Sequence, residues 1–126
     1  MTGYPWYGIT TREHQAFLKA YQDKYKDHPR LGSVVGYTAI QSLAAGMRKA
    51  GGADTEKLIT AFRGLELTSP FGPIRYRTED HQSTMGAFVG KTRNEGGKGV
   101  MVNFRYADGA KFQPSAEEVK KLRAAD

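Results

Sequence analysis

Residues 34–47, VVGYTAIQSLAAGM, decide how this chain folds. Gly36, Ile40, Leu43 and Met47 recur at the three- and four-residue spacing of one helix face, and Tyr37, Ala44 and Ala45 widen the apolar surface around it. A helix this apolar is expected to be buried on more than one side. It should start at Ser33 or Val34, run to about Ala50 and stop at Gly51-Gly52.

The flanking segments supply what packs around it. Tyr4-Pro5-Trp6-Tyr7-Gly8 reads as an aromatic turn. Thr10 and Glu13 have the S/T-x-x-E spacing of a capping box and predict a first helix. His14, Phe17, Leu18, Tyr21 and Tyr25 give that helix one apolar face, with Pro29 and Gly32 closing it. His14 is expected on the surface or at the edge of the face. Downstream, Asp54 caps a third helix whose buried stripe is Leu58, Ile59, Phe62 and Leu65.

After Ser69-Pro70 the period changes from helical to alternating. Ile74 and Tyr76 alternate with Arg75 and Arg77, Ala87-Phe88-Val89 form a second short strand, and Val100, Val102, Phe104 and Tyr106 alternate along a third. Gly96-Gly97 and Asp108-Gly109 are turns, and Ser115 with Glu118 opens a terminal helix ending near Arg123. Three helices, three antiparallel strands and one helix make an α/β chain. Three short strands leave part of the second helix uncovered, so something beyond them is needed to bury it.

Composition narrows the function classes. A chain of 126 residues with 39% hydrophobic and 25% charged residues makes one globular unit rather than a disordered segment. No apolar run approaches the length of a membrane span. The absence of cysteine excludes disulfides, thiolate metal sites and cysteine nucleophiles. A net charge of +6 favours acidic partners, but the basic residues are spread along the whole chain and read as a solubilising surface. Met1-Thr2-Gly3-Tyr4 has neither the basic start nor the apolar core of an export signal, so the chain as given carries no signal peptide.

No constellation for catalysis, metal or cofactor binding emerges. His14, His28 and His81 are far apart and lack the spacing of a metal site. Asp80-His81-Gln82 is the most suggestive polar cluster, but without a G-x-S-x-G elbow it reads as a turn with Asp80 bonding its own backbone. Gly96-Gly97-Lys98-Gly99 does not sit between a strand and a helix, and so reads as a hairpin turn rather than a phosphate loop. Arg75, Arg77, Lys91, Arg93 and Arg105 interleave with aromatic residues as a single-stranded nucleic-acid platform would. Alternation, however, turns Tyr76, Phe104 and Tyr106 to the opposite face, into the core, so no nucleic-acid partner is expected.

Five features in order resemble a known family: Phe17-x-x-x-Tyr21-x-x-x-Tyr25 then Pro29, the helix Val35 to Gly46, Lys49-Ala50-Gly51 with Asp54, the run Ser69-Pro70-Phe71-Gly72-Pro73-Ile74-Arg75-Tyr76, and Asp80-His81-Gln82. The succession, from about Tyr4 to the terminal helix, resembles the last third of type I periplasmic solute-binding proteins of branched-chain amino-acid ABC transporters. The resemblance implies a partial, C-terminal portion of a bilobed α/β fold. Residues 10–66 would belong to the helical part of the first lobe, and residues 67–126 would return toward the second. It also implies a non-catalytic, periplasmic role without a cofactor, with a small solute (an amino acid or small carboxylate) and a membrane permease as partners. Ser33, Gly36 and Tyr37 would approach the solute cleft, and Trp6 and Tyr7 would form a wall or hinge contact. The family often places an aromatic residue at the position of Ser33, and its groups for the solute's carboxylate and ammonium lie mostly upstream of these residues. The resemblance therefore implies weak solute binding by this chain alone. Two readings from other classes stand beside it: a small module that self-associates through the uncovered helix face, and a basic nucleic-acid binder.

Overall fold

The computed structural model describes residues 2–122. In chain order these form β1 (Thr2–Gly3), a 3-10 turn (Trp6–Gly8), α1 (Arg12–Tyr25), α2 (Leu31–Ala50), α3 (Thr55–Phe62), β2 (Glu66–Ser69), β3 (Gly72–Arg75), β4 (Ala87–Glu95), β5 (Lys98–Ala107), a second 3-10 turn (Gly109–Lys111) and α4 (Ala116–Leu122). The expected α/β class is observed. Arg123, the expected end of the last helix, lies outside the described residues.

Helix ends follow side-chain chemistry in three of four cases. Asp54 Oδ1 accepts the Lys57 N–H at 3.0 Å, as expected. Ser115 and Glu118 form the reciprocal box: Ser115 Oγ accepts the Glu118 N–H at 3.2 Å and Glu118 Oε2 accepts the Ser115 N–H at 2.8 Å. At α2 the expected start shifts by a turn. Ser33 is the third helical residue, its hydroxyl accepting the Arg30 N–H at 3.1 Å, which leaves Gly32 inside the helix rather than closing α1. The Thr10–Glu13 box does not form. Thr11 takes the cap position without a side-chain cap bond, and its hydroxyl turns to the Pro70 carbonyl at 3.5 Å instead. Helix α1 stops at Lys26, in the left-handed region at φ 54°, before Pro29 is reached.

Two small antiparallel sheets complete the architecture. One is the β2–β3 hairpin; the other has the order β1-β4-β5. Strand β2 corrects the expectation of a longer α3. Gly64, at φ 67°, reverses the chain after Phe62, so Leu65 is buried beyond the helix and Ile59 is 44% exposed. The expected alternation of Val100, Val102, Phe104 and Tyr106 on one face also needs correction. Met101 is the buried residue, because the register between β4 and β5 shifts between Val89 and Lys91. Asn103, at φ 50°, is the additional residue of this β-bulge, and Phe104 and Tyr106 point to the core only after it. Opposite the bulge, a Cβ at Gly90 would lie 2.8 Å from Met101 Cγ and 2.9 Å from Phe104 Cβ. Gly96 and Gly97, both at positive φ, make the expected hairpin turn.

The core joins helices to strands through Ile9, Phe17, Val34, Phe71, Phe88 and Met101, with Tyr4, Tyr21, Met85, Phe104 and Tyr106 packed against them. His14 belongs to this interior, contrary to its expected surface position: it is fully buried. Its Nε2 lies 2.6 Å from the Tyr4 hydroxyl and its Nδ1 is 3.2 Å from the Ile9 carbonyl, so a neutral ring that donates from Nδ1 and accepts at Nε2 satisfies both.

The buried face of α2 is the unexpected one. Val34, Thr38, Ser42 and Gly46 face the protein, the Ser42 hydroxyl donating to the Thr38 carbonyl at 2.8 Å. Small residues are needed there because a Cβ at Gly46 would come within 2.6 Å of the Phe62 ring. The opposite stripe, expected to be core, faces outward: Ile40 is 67%, Leu43 43% and Met47 37% exposed.

Burial lowers the His14 pKa, opposed by the bond to Ile9. The folded state therefore resists a proton that the unfolded chain accepts below about pH 6.5. Stability is full above that value and declines as pH falls below it. Urea unfolding is expected to show a falling midpoint from neutral pH to about pH 5, with a shallower fall in His14→Gln, which has no imidazole to protonate. Equal slopes in the two proteins would contradict the assignment.

Candidate functional site

The five residues singled out from the sequence do not share one place. Trp6 and Tyr7 lie on the first 3-10 turn, which is pinned against β5. The Tyr7 hydroxyl accepts the Met101 N–H at 2.6 Å and donates to the Met101 carbonyl at 2.9 Å. Gly8 passes so close to the Phe104 ring that a Cβ there would overlap it. Trp6 stacks on His28 with ring centroids 5.0 Å apart and planes 19° from parallel, and Tyr7 meets its edge at 5.7 Å. Together with Arg30 and Leu31 at the start of α2, and with Val100 of β5, these rings line a cavity of about 450 Å³.

Ser33 and Tyr37 face α1 instead. The Ser33 hydroxyl is 3.4 Å from that of Tyr21, and the Tyr37 ring sits 5.0 Å from Phe17. Tyr37 borders a separate groove of about 520 Å³ with Ala16, Ala20, Tyr21, Tyr25 and Pro70. Gly36 is on the outer stripe of α2, with no atom within 4 Å of where a Cβ would stand. Trp6 and Tyr7 thus form one wall near the α2 N-terminus, Ser33 and Tyr37 occupy the neighbouring face, and Gly36 belongs to neither.

His28 and Arg30 are the lining residues that sequence reasoning missed. They reach Trp6 because the chain turns between α1 and α2, a non-local contact whose only sequence trace is Pro29 between them. The Arg30 guanidinium bonds Asp27 at 2.8 Å and also the His28 carbonyl. Arg30, then the His28 N–H, holds the Asp27 carboxyl below the usual carboxylate range. The charge of Arg30 is therefore matched within its own loop, and the wall it joins is aromatic and apolar rather than a convergent charged cradle.

A larger concavity, about 880 Å³, lies behind the β2–β3 hairpin among Glu66, Arg75, Arg77, Glu79, Asp108 and Gln113. Beside it, Asp80-His81-Gln82 forms a turn, as expected. Asp80 Oδ1 accepts the Gln82 N–H at 3.0 Å, and the Asp80 side chain is only 6% exposed. Arg77 adds what the sequence did not reveal. Its Nε lies 3.3 Å from Asp80 while its Nη1 donates to the Pro114 carbonyl at 2.8 Å, and Gln113 Nε2 donates to the Ser83 carbonyl at 2.8 Å. The turn is a clasp holding the segment that leads into α4. Among the described residues, no three His, Cys, Asp or Glu side chains are placed to hold a metal ion.

A family model described as periplasmic binding protein matches residues 1–99. The chain belongs to the periplasmic binding protein family. Solved structures agree with its fold. A solute-binding protein of an ABC transporter from Rhodopseudomonas palustris BisB5, in complex with 3,4-dihydroxybenzoic acid, is 26% identical, with a TM-score of 0.67 over 79% of this chain and 28% of that one. An R. palustris solute-binding protein in complex with benzoate is 27% identical, with a TM-score of 0.64 over 80% and 28%. The leucine-, isoleucine-, valine-, threonine- and alanine-binding protein of Brucella ovis is 15% identical and shares the fold, with a TM-score of 0.70 over 86% and 30%. No curated protein matches the chain. The chain thus spans less than a third of the length of these structures. Membership in this family disfavours the nucleic-acid binder and the free-standing interaction module as the role of the protein.

Cutting the clasp should loosen one end of the molecule. Asp80→Ala leaves the mostly buried Arg77 guanidinium with only the more distant Glu79 carboxylate, 3.7 Å away, and is expected to cost about 1–3 kcal/mol. Limited proteolysis should then cleave within residues 109–122 sooner than elsewhere. Cleavage at an unchanged rate, with unchanged stability, would contradict the role given to Asp80.

Proposed function

We propose that this chain supplies part of the solute-binding component of an ABC importer, and that the Trp6–Tyr7–His28 wall beside the α2 N-terminus is its contribution to a site for a small carboxylate with an aromatic ring. That wall is the observation carrying the reading. A ring held flat by stacking and a tyrosine whose hydroxyl is spent on Met101 offer a rigid apolar surface suited to another ring. The ligands named for the two R. palustris structures, benzoate and 3,4-dihydroxybenzoic acid, are of this kind. Ser33 and Tyr37, one turn apart on α2, face α1 and take no part in this wall. Branched-chain amino acids fit less well, since a zwitterion requires convergent charge-assisted bonds and Arg30 is committed to Asp27. The role is non-catalytic and periplasmic, with the importer's permease as the membrane partner.

Trp6 is the single tryptophan and reports directly on this wall. The chain alone is expected to show no saturable micromolar change in Trp6 fluorescence with benzoate or leucine. Exchanging it for the corresponding segment of the benzoate-bound R. palustris protein should give a folded chimera that binds benzoate. Trp6→Ala in that chimera should weaken binding by about tenfold, or ~1.4 kcal/mol. A saturable micromolar leucine response in the chain alone, or a folded chimera indifferent to Trp6→Ala, would overturn the reading.

A further inference from the structure

His14 grips the segment that carries Trp6 and Tyr7 from both of its flanks. Its Nε2 lies 2.6 Å from the Tyr4 hydroxyl and its Nδ1 3.2 Å from the Ile9 carbonyl, so one imidazole on α1 spans residues 4–9. Trp6 is tied to the first flank through its own N–H, which donates to the Tyr4 carbonyl at 2.9 Å. Gln15 reinforces the second, its Nε2 donating to the Ile9 carbonyl at 2.6 Å. The arrangement is interior. Because His14 is fully buried, its bonds are set by this chain's own residues and not by what the surface meets.

The two flanks answer differently to a proton. A carbonyl only accepts, so Nδ1 carries the hydrogen of the neutral ring and Nε2 accepts from the Tyr4 hydroxyl. A further proton goes to Nε2. The bond to Ile9 survives, but Nε2–H and the Tyr4 O–H then oppose each other, and the hydroxyl must turn away from its buried acceptor. Nothing offsets the new charge. Tyr4, the titratable group that faces the ring, is kept neutral by burial, and Phe17 is the other ring against it. The core behind them is apolar, with Tyr21 and Tyr106 its further titratable members. Burial and the Ile9 bond are what act on the imidazole, and no charged side chain is among them. Freeing Tyr4 lets water reach Nε2 and returns the ring toward its ordinary pKa of about 6.5. The open form thus takes a proton near that pH and the closed form only below it. Opening is suppressed above about pH 6.5 and grows by up to tenfold per pH unit below it, until the closed form is protonated too.

We propose that His14 is a pH-sensitive clamp on the Trp6–Tyr7 wall, closed at neutral pH and releasing the Tyr4 flank in acid while the rest of the fold stays intact. It is a positioning residue, since it touches the wall segment and no solute. Its consequence for binding rests on the solute reading above: a site that weakens as its surroundings acidify.

Trp6, the single tryptophan, reads the clamp in the chain without any solute. Acrylamide quenching followed from about pH 8 to about pH 5 should rise roughly twofold in one transition below about pH 6.5, while far-ultraviolet circular dichroism stays constant. His14→Gln keeps a donor for Ile9 and an acceptor for Tyr4 but takes no proton, so its quenching should stay at the neutral value throughout. His28, stacked on Trp6, is the competing cause, and His28→Gln should keep the transition. If His14→Gln does not fold, the ring nitrogen signals of the wild-type chain decide. His14 should then start with its hydrogen on Nδ1 and titrate with the midpoint of the quenching change, and a different midpoint would overturn the clamp. A flat wild-type response, a transition that accompanies loss of circular dichroism, or one kept in His14→Gln and abolished by His28→Gln would overturn it equally. None of these outcomes touches the solute reading, which falls instead if the benzoate-binding chimera ignores Trp6→Ala.

Discussion

Phe71 is the point on which the architecture turns. It sits at the tip of the β2–β3 hairpin, 7% exposed, and its ring meets Tyr4 at 5.7 Å, Phe88 at 5.1 Å and Tyr106 at 6.2 Å. Those three rings come from the N-terminal segment, β4 and β5, whereas the hairpin itself packs on α1 and α2. One side chain thus ties the helical layer to the three-stranded sheet. The turn that presents it is held by the buried Ser69 hydroxyl, which accepts the Phe71 N–H at 3.1 Å and donates to the Gly72 carbonyl at 2.9 Å. The edge-to-face pairs with Phe88 and Tyr106 each add about 0.5–1.5 kcal/mol beyond the burial of the rings.

The placement of the candidate site follows from that junction. Once β5 is fixed by Phe71 and Phe88, Met101 presents its backbone to Tyr7, and the 3-10 turn carrying Trp6 is held beside the start of α2. His28 and Arg30 arrive there from the opposite direction, through the loop that Pro29 stiffens. The wall is rigid because each of its members is bonded to something other than a ligand.

Apart from the Thr10–Glu13 box, local chemistry was legible in the sequence, and long-range pairing was not. Asp54, Gly51, Ser115 with Glu118, and Gly96-Gly97 each act within a few residues, and each does in the structure what its residue type demands. The β2 strand was not legible, because Glu66-Leu67-Thr68-Ser69 holds one large apolar residue, too few to show an alternation, and is strand only by pairing with β3. The bulge at Asn103 was hidden because Val100, Val102, Phe104 and Tyr106 alternate faultlessly on paper. His14 misled for a related reason: a histidine is buried at little cost once Tyr4 and the Ile9 carbonyl meet its two nitrogens, and neither partner is a helical neighbour. The surplus apolar surface of α2 was legible, but which of its faces would be left over was not. That depended on Gly46 fitting beneath Phe62. Of the residues that line the candidate wall, the sequence singled out Trp6 and Tyr7, whereas His28 and Arg30 reach it only through the loop closure between the helices.

Native-state hydrogen exchange on Phe71→Ala measures the central claim most directly. Deleting a buried phenylalanine costs about 3–5 kcal/mol, and if Phe71 couples the two layers that loss is shared. Amides of α1 and α2 should lose protection together with those of β4 and β5 near Phe88 and Tyr106. Protection that falls in the helices while the β4–β5 pairing keeps its wild-type value would show two independent units and contradict the account.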